Sequence, residues 1–257
     1  MTFRESRDSA EHPRSVGIIF ALDVSGSMGE IPVAMATKTL PTFMKTLGDV
    51  GVTDPQLMFM AVGHCVSDRA PLQVGQFESE ASLMDQWLTS MYLEGGGAGG
   101  NESYEVAMYF AARHTAMDCV QKRQHKGYLF ITGDEPPNPA VVKEQVRHVI
   151  GDDLQGNIPL ESIIAEVSES FELFYLIPDP QRGRSVGPAW RAKLAERVVV
   201  MPSPEDTAYV AAGLVALCEG AVKGLDGLTE RLASVGVDRA RAGRIAECVS
   251  AFAASRA

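Results

Sequence analysis

The chain has 257 residues, of which 46% are hydrophobic and 22% charged, and its formal net charge is −10. This composition is typical of a globular protein with a sizeable core and excludes extensive disorder. The acidic balance argues against nucleic acid or an anionic membrane as the partner, and no segment reaches the roughly 18 apolar residues that a membrane span needs.

Apolar strands alternate with helical segments along most of the chain. Near-continuous apolar runs predict buried strands, and they fall at residues 15–22, 56–62, 128–132, 173–177 and 198–201. Residues 72–77 follow Pro71 and alternate in polarity, which indicates an edge strand. Helical spacing marks residues 31–47, 79–93, 102–119, 140–150, 160–170, 190–197 and 204–222, whereas residues 179–188 are typical of a Gly- and Arg-rich loop. The pattern predicts an α/β fold with a doubly wound, mostly parallel central sheet, one antiparallel edge strand and helices on both faces.

The last 35 residues differ from the rest. Two apolar stripes at helical spacing predict a helical hairpin, with Leu228 and Leu232 on the first stripe and Ile245 and Phe252 on the second. We therefore divide the chain into an N-terminal extension (1–14), an α/β domain (15–222) and a C-terminal helical hairpin (223–257) packed on or beside that domain. The alternative is that the apolar stripe docks a partner.

The cysteines are scattered and form no C-x-x-C pair; they are Cys65, Cys119, Cys218 and Cys248. This usage predicts reduced, mostly buried thiols. Because no targeting segment is evident either, we expect a cytoplasmic protein.

The most informative string follows the first strand directly. Asp23, Ser25 and Ser27 form a D-x-S-x-S pattern that can aim one carboxylate and two hydroxyls at a single point. Ligands of α/β sheets sit beyond the carboxyl ends of the strands, and all-oxygen ligation suits Mg²⁺, Mn²⁺ or Ca²⁺. The alternative for the two serines is a simple turn that caps the following helix.

The string DVSGSM after a hydrophobic strand resembles the metal-ion-dependent adhesion site (MIDAS) of a von Willebrand factor A (VWA) domain. In that family a Thr and a later Asp complete the site. Asp134 in YLFITGD matches the late Asp, and the Thr position falls on Glu102 in GGGAGGNESYEVAMYFA. The loops are similar to a subgroup that includes domains attached to atypical α-kinases and bacterial cytosolic homologues. The resemblance implies a Rossmann-like VWA fold and a Mg²⁺ site, with Mn²⁺ or Ca²⁺ as alternatives, formed by Asp23, Ser25, Ser27, Glu102 and Asp134.

Glutamate in place of threonine changes the expected charge of the site. Three carboxylates around a divalent cation leave a net negative charge, which makes the site a poorer trap for an acidic ligand. The three loops at residues 23–30, 94–105 and 132–139 contain no Lys or Arg, so we expect a basic or neutral partner. If Glu102 does not reach the ion, Asn101 or Ser103 would substitute.

Two enzyme classes fit the sequence poorly. Gly95, Gly97 and Gly100 satisfy G-x-G-x-x-G, but they follow a helical segment instead of the first strand. A phosphatase-like or haloacid-type enzyme would need an Asp at the position of Ser25 or a basic clamp on phosphate. We therefore predict a protein that is not an enzyme and has no catalytic residues.

The predicted function is a divalent-cation-dependent protein–protein interaction module in a bacterial cytosolic assembly or signalling system. The resemblance implies a protein partner, with components of AAA+ ATPase, kinase or phosphatase systems as candidates. The alternative is a regulatory or scaffold subunit with a vestigial metal site that docks through its C-terminal helices.

Overall fold

The computed structural model describes residues 3–28, 40–49, 52–93, 95 and 101–256. Its strands in chain order are β1 (Arg4–Ser6), β2 (Val16–Asp23), β3 (Pro55–Val62), β4 (Leu72–Val74), β5 (Thr115–Met117), β6 (Gly127–Thr132), β7 (Ala140–Val141), β8 (Ile158–Pro159), β9 (Phe171–Ile177) and β10 (Val198–Val200). The α-helices that it describes are α1 (Leu40–Asp49), α2 (Ala81–Ser90), α3 (Tyr104–Arg113), α4 (Asp118–Arg123), α5 (Lys143–Val149), α6 (Leu160–Ser170), α7 (Pro180–Leu194), α8 (Thr207–Cys218), α9 (Gly224–Ser234), α10 (Arg239–Cys248) and α11 (Ser250–Ser255).

The central sheet has the strand order β10-β9-β6-β2-β3-β4. Neighbouring strands are parallel except β3 and β4, which pair antiparallel at one edge. This arrangement confirms the predicted fold class. From β2 the chain first adds β3 and β4 on one side and then β6, β9 and β10 on the other, so the strand order changes direction between β2 and β6. The paired residues of these two parallel strands end at Leu22 and Thr132. The carboxyl ends of these two strands therefore form the crevice in which α/β proteins bind ligands.

Strand β2 is buried on both faces of the sheet. Ile18 and Phe20 belong to one hydrophobic cluster, and Ile19 and Ala21 belong to the cluster on the opposite face. Helices cover both faces, so both alternating sets of side chains must be apolar. This is why the strand reads as a continuous apolar run in the sequence.

The N-terminal segment is bound to the rest of the molecule. Strand β1 pairs in parallel with β5, and Arg7 forms an ion pair with Asp118 at 2.8 Å. The predicted helix over residues 102–119 is wrong in its second half, because α3 ends at Arg113 and β5 follows. The pairing partner of β5 lies more than a hundred residues away, which helical periodicity cannot reveal.

The C-terminal helices complete the core on one face of the sheet. Leu228, Ile245 and Phe252 are buried in the cluster that contains Phe174, and the rings of Phe174 and Phe252 meet edge-to-face at 5.0 Å. The apolar stripes predicted from the sequence are therefore covered within the chain. The boundaries of the three predicted segments stay a prediction.

Helices α7 and α1 bear on two further predictions. The loop predicted at residues 179–188 is wrong, because α7 begins at Pro180. Its N-cap Asp179 accepts hydrogen bonds from two backbone N–H groups of the first turn, and a proline at the first helical position suits a helix start. Of the helix predicted at residues 31–47, only residues 40–47 are described, and they are helical; residues 31–39 lie outside the described residues.

All four cysteines are free thiols. Among the described residues, no helix combines the length and the apolar character that crossing a membrane requires.

Candidate functional site

Asp23 ends strand β2 and is fully buried. Its Oδ1 accepts a hydrogen bond from the Ser25 backbone N–H at 2.8 Å, and its Oδ2 accepts one from the Tyr104 hydroxyl at 2.5 Å. Burial raises the pKa of Asp23 to about 6, against the opposing effect of the hydrogen bonds from Ser25 and Tyr104. The nearby charge of Asp134 also raises it. A cation at this edge would favour the charged carboxylate.

The two serines of the pattern lie in the turn after β2. Ser25 is buried, and the 3₁₀ turn Gly26–Met28 follows it directly. The hydrogen bond from the Ser25 N–H to Asp23 is a local turn contact of the kind that aspartate commonly makes two residues on. Ser27 lies within the 3₁₀ turn, and its side chain is outside what the structure describes.

Glu102 precedes helix α3 and is 1% exposed. Its Oε2 is buried and has no hydrogen-bond partner. Burial above all, together with the nearby charges of Asp23, Glu135 and Asp134, raises the pKa of Glu102 to about 8. The structure therefore brings Glu102 into the electrostatic neighbourhood of both predicted aspartate ligands.

Hydrogen bonds with two neighbouring loops hold the loop that carries Glu102. The Ser103 N–H donates to the Gly63 carbonyl at 3.0 Å, and the Ser103 hydroxyl accepts from the Cys65 N–H at 3.1 Å. From the other side, the Asn138 amide donates to the Glu102 carbonyl at 3.2 Å. The loops after β3 and β6 thus hold the segment from two sides, so the position of Glu102 depends on two neighbouring loops at the same edge of the sheet.

Glu105 is a buried carboxylate that the sequence analysis did not single out. It lies in the first turn of α3 and is 1% exposed. Burial raises the pKa of Glu105 to about 7, against a hydrogen bond from Asn138 that favours the charged form. The Asn138 amide nitrogen lies 3.1 Å from Glu105 Oε2.

Asp134 follows strand β6 and forms an ion pair with an arginine. Arg182 Nε donates to Asp134 Oδ2 at 3.1 Å, and Arg182 Nη2 donates to Glu135 Oε1 at 2.6 Å. Arg182 comes from the first turn of α7, which follows the neighbouring strand β9. The three acidic loops contain no basic residue of their own, but this fourth segment supplies one at the same edge.

Tyr104 is a further site residue that the sequence analysis does not identify. Its hydroxyl lies so close to Gly133 that a Cβ there would be 2.3 Å from it. Its ring meets the rings of Tyr175 and Trp190 edge-to-face at 5.4 and 5.9 Å. Tyr104 therefore links Asp23 on β2 to the start of the loop that carries Asp134. The feature of the sequence that could have identified Tyr104 is its position in the first turn of a helix that begins at the site.

The predicted ligands are all oxygen donors, which is the chemistry that a hard divalent cation prefers. Asp23, Glu102 and Asp134 offer buried carboxylate oxygens, and the Glu102 Oε2 atom needs a partner. In the part of the chain that the structure describes, however, no three His, Cys, Asp or Glu side chains are gathered into a metal-binding group. Asp23 is engaged by Tyr104, and Asp134 by Arg182. The ligand set stays a prediction.

No family model matches the chain, and no curated protein matches it. Among solved structures, it is similar to the pilus adhesin SpaC from Lactobacillus rhamnosus GG in its open conformation, at 11% identity and a TM-score of 0.54, over 84% of this chain and 31% of that one. A second crystal structure of SpaC matches at 11% identity and a TM-score of 0.55, over 84% and 32% of the two chains. This chain therefore spans about a third of the length of that adhesin.

Another similar structure is the vWF domain of the type V pili tip protein Mfa5 from Porphyromonas gingivalis. The identity is 7% and the TM-score 0.47, over 86% of this chain and 96% of that one. At identities this low the likeness to SpaC shows a shared α/β fold alone. The metal site and the subgroup lie outside what these likenesses show.

Proposed function

We propose that this chain is a divalent-cation-dependent protein–protein interaction module, with Mg²⁺ as the first candidate ion. The observation that carries the proposal is the buried, unpartnered Glu102 Oε2 beside the charges of Asp23 and Asp134. A buried carboxylate oxygen without a partner is costly. A cation held by Asp23, Ser25, Ser27, Glu102 and Asp134 would remove that cost.

The bound cation would supply a positive Lewis-acid centre for an oxygen atom of the partner. The residues of this chain would hold and orient it. Tyr104 fixes one oxygen of Asp23, and Asn138 fixes the backbone of Glu102.

Interaction is favoured over catalysis. Both Asp23 oxygens accept hydrogen bonds, which lowers the nucleophilicity that a phosphoryl-transfer aspartate needs. The partner that we propose is a protein of a cytoplasmic assembly or signalling system, with AAA+ ATPase, kinase or phosphatase components as candidates. SpaC, which has a similar α/β fold, is a pilus adhesin, and this supports the proposal of an interaction role.

A second candidate is a scaffold or regulatory subunit whose site binds no metal. The contact of Arg182 with Asp134 and Glu135 favours it, because a guanidinium already neutralises part of the negative charge. Docking through the predicted C-terminal stripe is disfavoured, since Leu228 and Phe252 are buried within the chain.

Calorimetric titration with Mg²⁺, Mn²⁺ and Ca²⁺ separates the two candidates, and the chain offers a matched control. Asp134 and Asp206 each pair with one arginine, and their side chains are 6% and 4% exposed. Only Asp134 belongs to the proposed site. We expect Asp134→Asn to weaken cation binding at least tenfold, because one anionic ligand is lost, and Asp206→Asn to leave it unchanged.

Partner capture with and without EDTA extends the test. We expect Asp134→Asn to mimic EDTA and Asp206→Asn to behave like the wild type. Absence of cation binding in the wild type, or equal loss in both variants, would contradict the metal-dependent module and favour the scaffold.

A further inference from the structure

Arg182 reaches across from α7 to two carboxylates at the crevice. Its Nε lies 3.1 Å from Asp134 Oδ2, and its Nη2 lies 2.6 Å from Glu135 Oε1. The Asp134 side chain is 6% exposed, whereas that of Arg182 is 37% exposed. The carboxylate is thus nearly enclosed, and the arginine that covers it borders solvent.

The backbone of Arg182 is firmly placed. Its N–H donates to the N-cap Asp179 at 3.0 Å. The next residue, Gly183, packs so closely on β10 that a Cβ would lie 2.6 Å from Val200 Cγ1. The cap and the close packing on β10 hold the backbone of the first turn of α7, whereas the partly exposed side chain of Arg182 can rotate toward solvent.

Among the residues that the structure describes, no three acidic side chains are gathered into a metal-binding group, and this contact already occupies one of the predicted ligands. The Asp134 carboxylate is directed to Arg182, while Glu102 Oε2 has no partner. A guanidinium and a divalent cation at contact distance from the same carboxylate would repel each other strongly in such a buried place.

We propose that Arg182 and the divalent cation are alternative partners of Asp134. Arg182 is a positioning residue that lowers the affinity of the site for the cation, and cation binding releases its guanidinium toward solvent. This inference rests on the proposed function and concerns the regulation of that same site. Only molecules in which the arginine has left Asp134 can bind the cation. The apparent affinity for the cation is therefore the intrinsic affinity multiplied by the fraction of such molecules.

Mn²⁺ titration of the full chain by calorimetry tests the competition. We expect Arg182→Gln to bind Mn²⁺ about tenfold more tightly than the wild type. A gain of this size corresponds to a wild type in which the arginine closes the site in about nine of ten molecules. Arg184→Gln is the matched control, because it removes the same charge from an exposed position two residues further along α7. We expect it to bind as the wild type does.

Arg182→Lys separates competition from net charge and serves if Arg182→Gln folds poorly. Lysine keeps the charge but lacks the planar fork that spans Asp134 and Glu135, so we expect an affinity between those of the wild type and Arg182→Gln. Wild-type affinity in Arg182→Lys, or an equal gain in Arg184→Gln, would reduce the effect to net charge and overturn the proposal.

The failures of the two proposals are distinguishable. Mn²⁺ binding by the wild type with no gain in Arg182→Gln would overturn the competition and leave the metal-dependent module standing. No Mn²⁺ binding by the wild type or any Arg182 variant would overturn both. Binding by Arg182→Gln alone would support exclusion of the cation by Arg182 and contradict a metal-dependent module in the wild type.

Discussion

At the scale of single residues, the site is organised around a buried carboxylate that accepts a phenolic hydrogen bond. Asp23 and Tyr104 are both fully buried, and their contact of 2.5 Å joins strand β2 to the first turn of α3. Hydrogen bonds to charged acceptors are stronger than neutral ones, and leaving such an acceptor unsatisfied in a buried place is costly. Tyr104 therefore contributes to stability and also orients the first predicted metal ligand.

We expect Tyr104→Phe to destabilise the protein by about 2 kcal/mol, since a buried carboxylate oxygen loses its donor. Tyr109→Phe is the control, because the Tyr109 hydroxyl also donates to a carboxylate, that of Asp152, at 2.7 Å. The Asp152 side chain is 32% exposed, so water can replace the lost donor and we expect a cost below about 1 kcal/mol. Urea unfolding measures both, and equal losses would contradict the role given to Tyr104.

The sequence allows the acidic residues of the candidate site to be predicted better than their partners. Asp23 ends one strand that is obvious in the sequence, and Asp134 lies two residues beyond another, so their placement at one edge follows from the parallel sheet. The composition of residues 179–188 indicates a loop, so it does not identify Arg182 as a site residue. Yet they follow β9, which pairs with β6, so their first turn had to lie at the same edge. Whether a side chain there turns inward depends on packing that no local pattern reveals.

At the scale of elements, the buried strands were predictable and the short non-local pairings were not. Strands β2, β3, β6 and β9 lie where continuous apolar runs predicted them. Strand β5 consists of three residues, and it exists because β1 pairs with it from a distant part of the chain. Helix α7 was hidden by Gly183, Gly187 and Pro188, which lower helix propensity but are tolerated where packing requires them.

An ion pair joins the ends of α4 and α8, and it should make the free energy of unfolding depend on pH. His125 follows α4, and its Nε2 lies 3.0 Å from Glu219 Oε1 at the end of α8. Contacts with Cys119 and Glu219 raise the pKa of His125 from 6.5 to about 10. A raised histidine pKa stabilises the fold fully below about pH 6.5, and the gain is lost as the pH rises through about 10.

We therefore expect His125→Asn to flatten the decline in unfolding free energy between about pH 6.5 and 10. The control is His64→Asn, because the His64 ring contacts the Ser67 hydroxyl at 2.8 Å instead of a carboxylate. Urea unfolding at several pH values compares the three proteins. An unchanged pH profile in His125→Asn would contradict the assigned contribution of the ion pair.

At the scale of the whole molecule, the sheet separates two apolar layers, and the C-terminal helices belong to one of them. Helix α9 approaches α8 so closely that a Cβ at Gly213 would lie 3.1 Å from Leu228 Cδ1. Arg197 stacks over the rings of both Phe174 and Phe252, at 5.3 and 5.5 Å. The sequence predicted the two helical stripes, but it left open whether they pack within the chain or dock a partner. The contacts between residues distant in the chain show that the stripes pack within the chain.

Removal of residues 223–257 should consequently expose a face that the α/β layers alone do not cover. We expect the truncated chain to bind the dye ANS and to lose its cooperative unfolding transition or shift it to lower urea, because apolar side chains that pack on Phe252 enter water. Within the full chain, Phe252→Ala should cost about 3–5 kcal/mol. Phe3→Ala should cost little, since Phe3 is 58% exposed. If the C-terminal helices were a detachable docking arm, the truncated chain would instead be soluble, would not bind ANS and would unfold at the midpoint of the full chain.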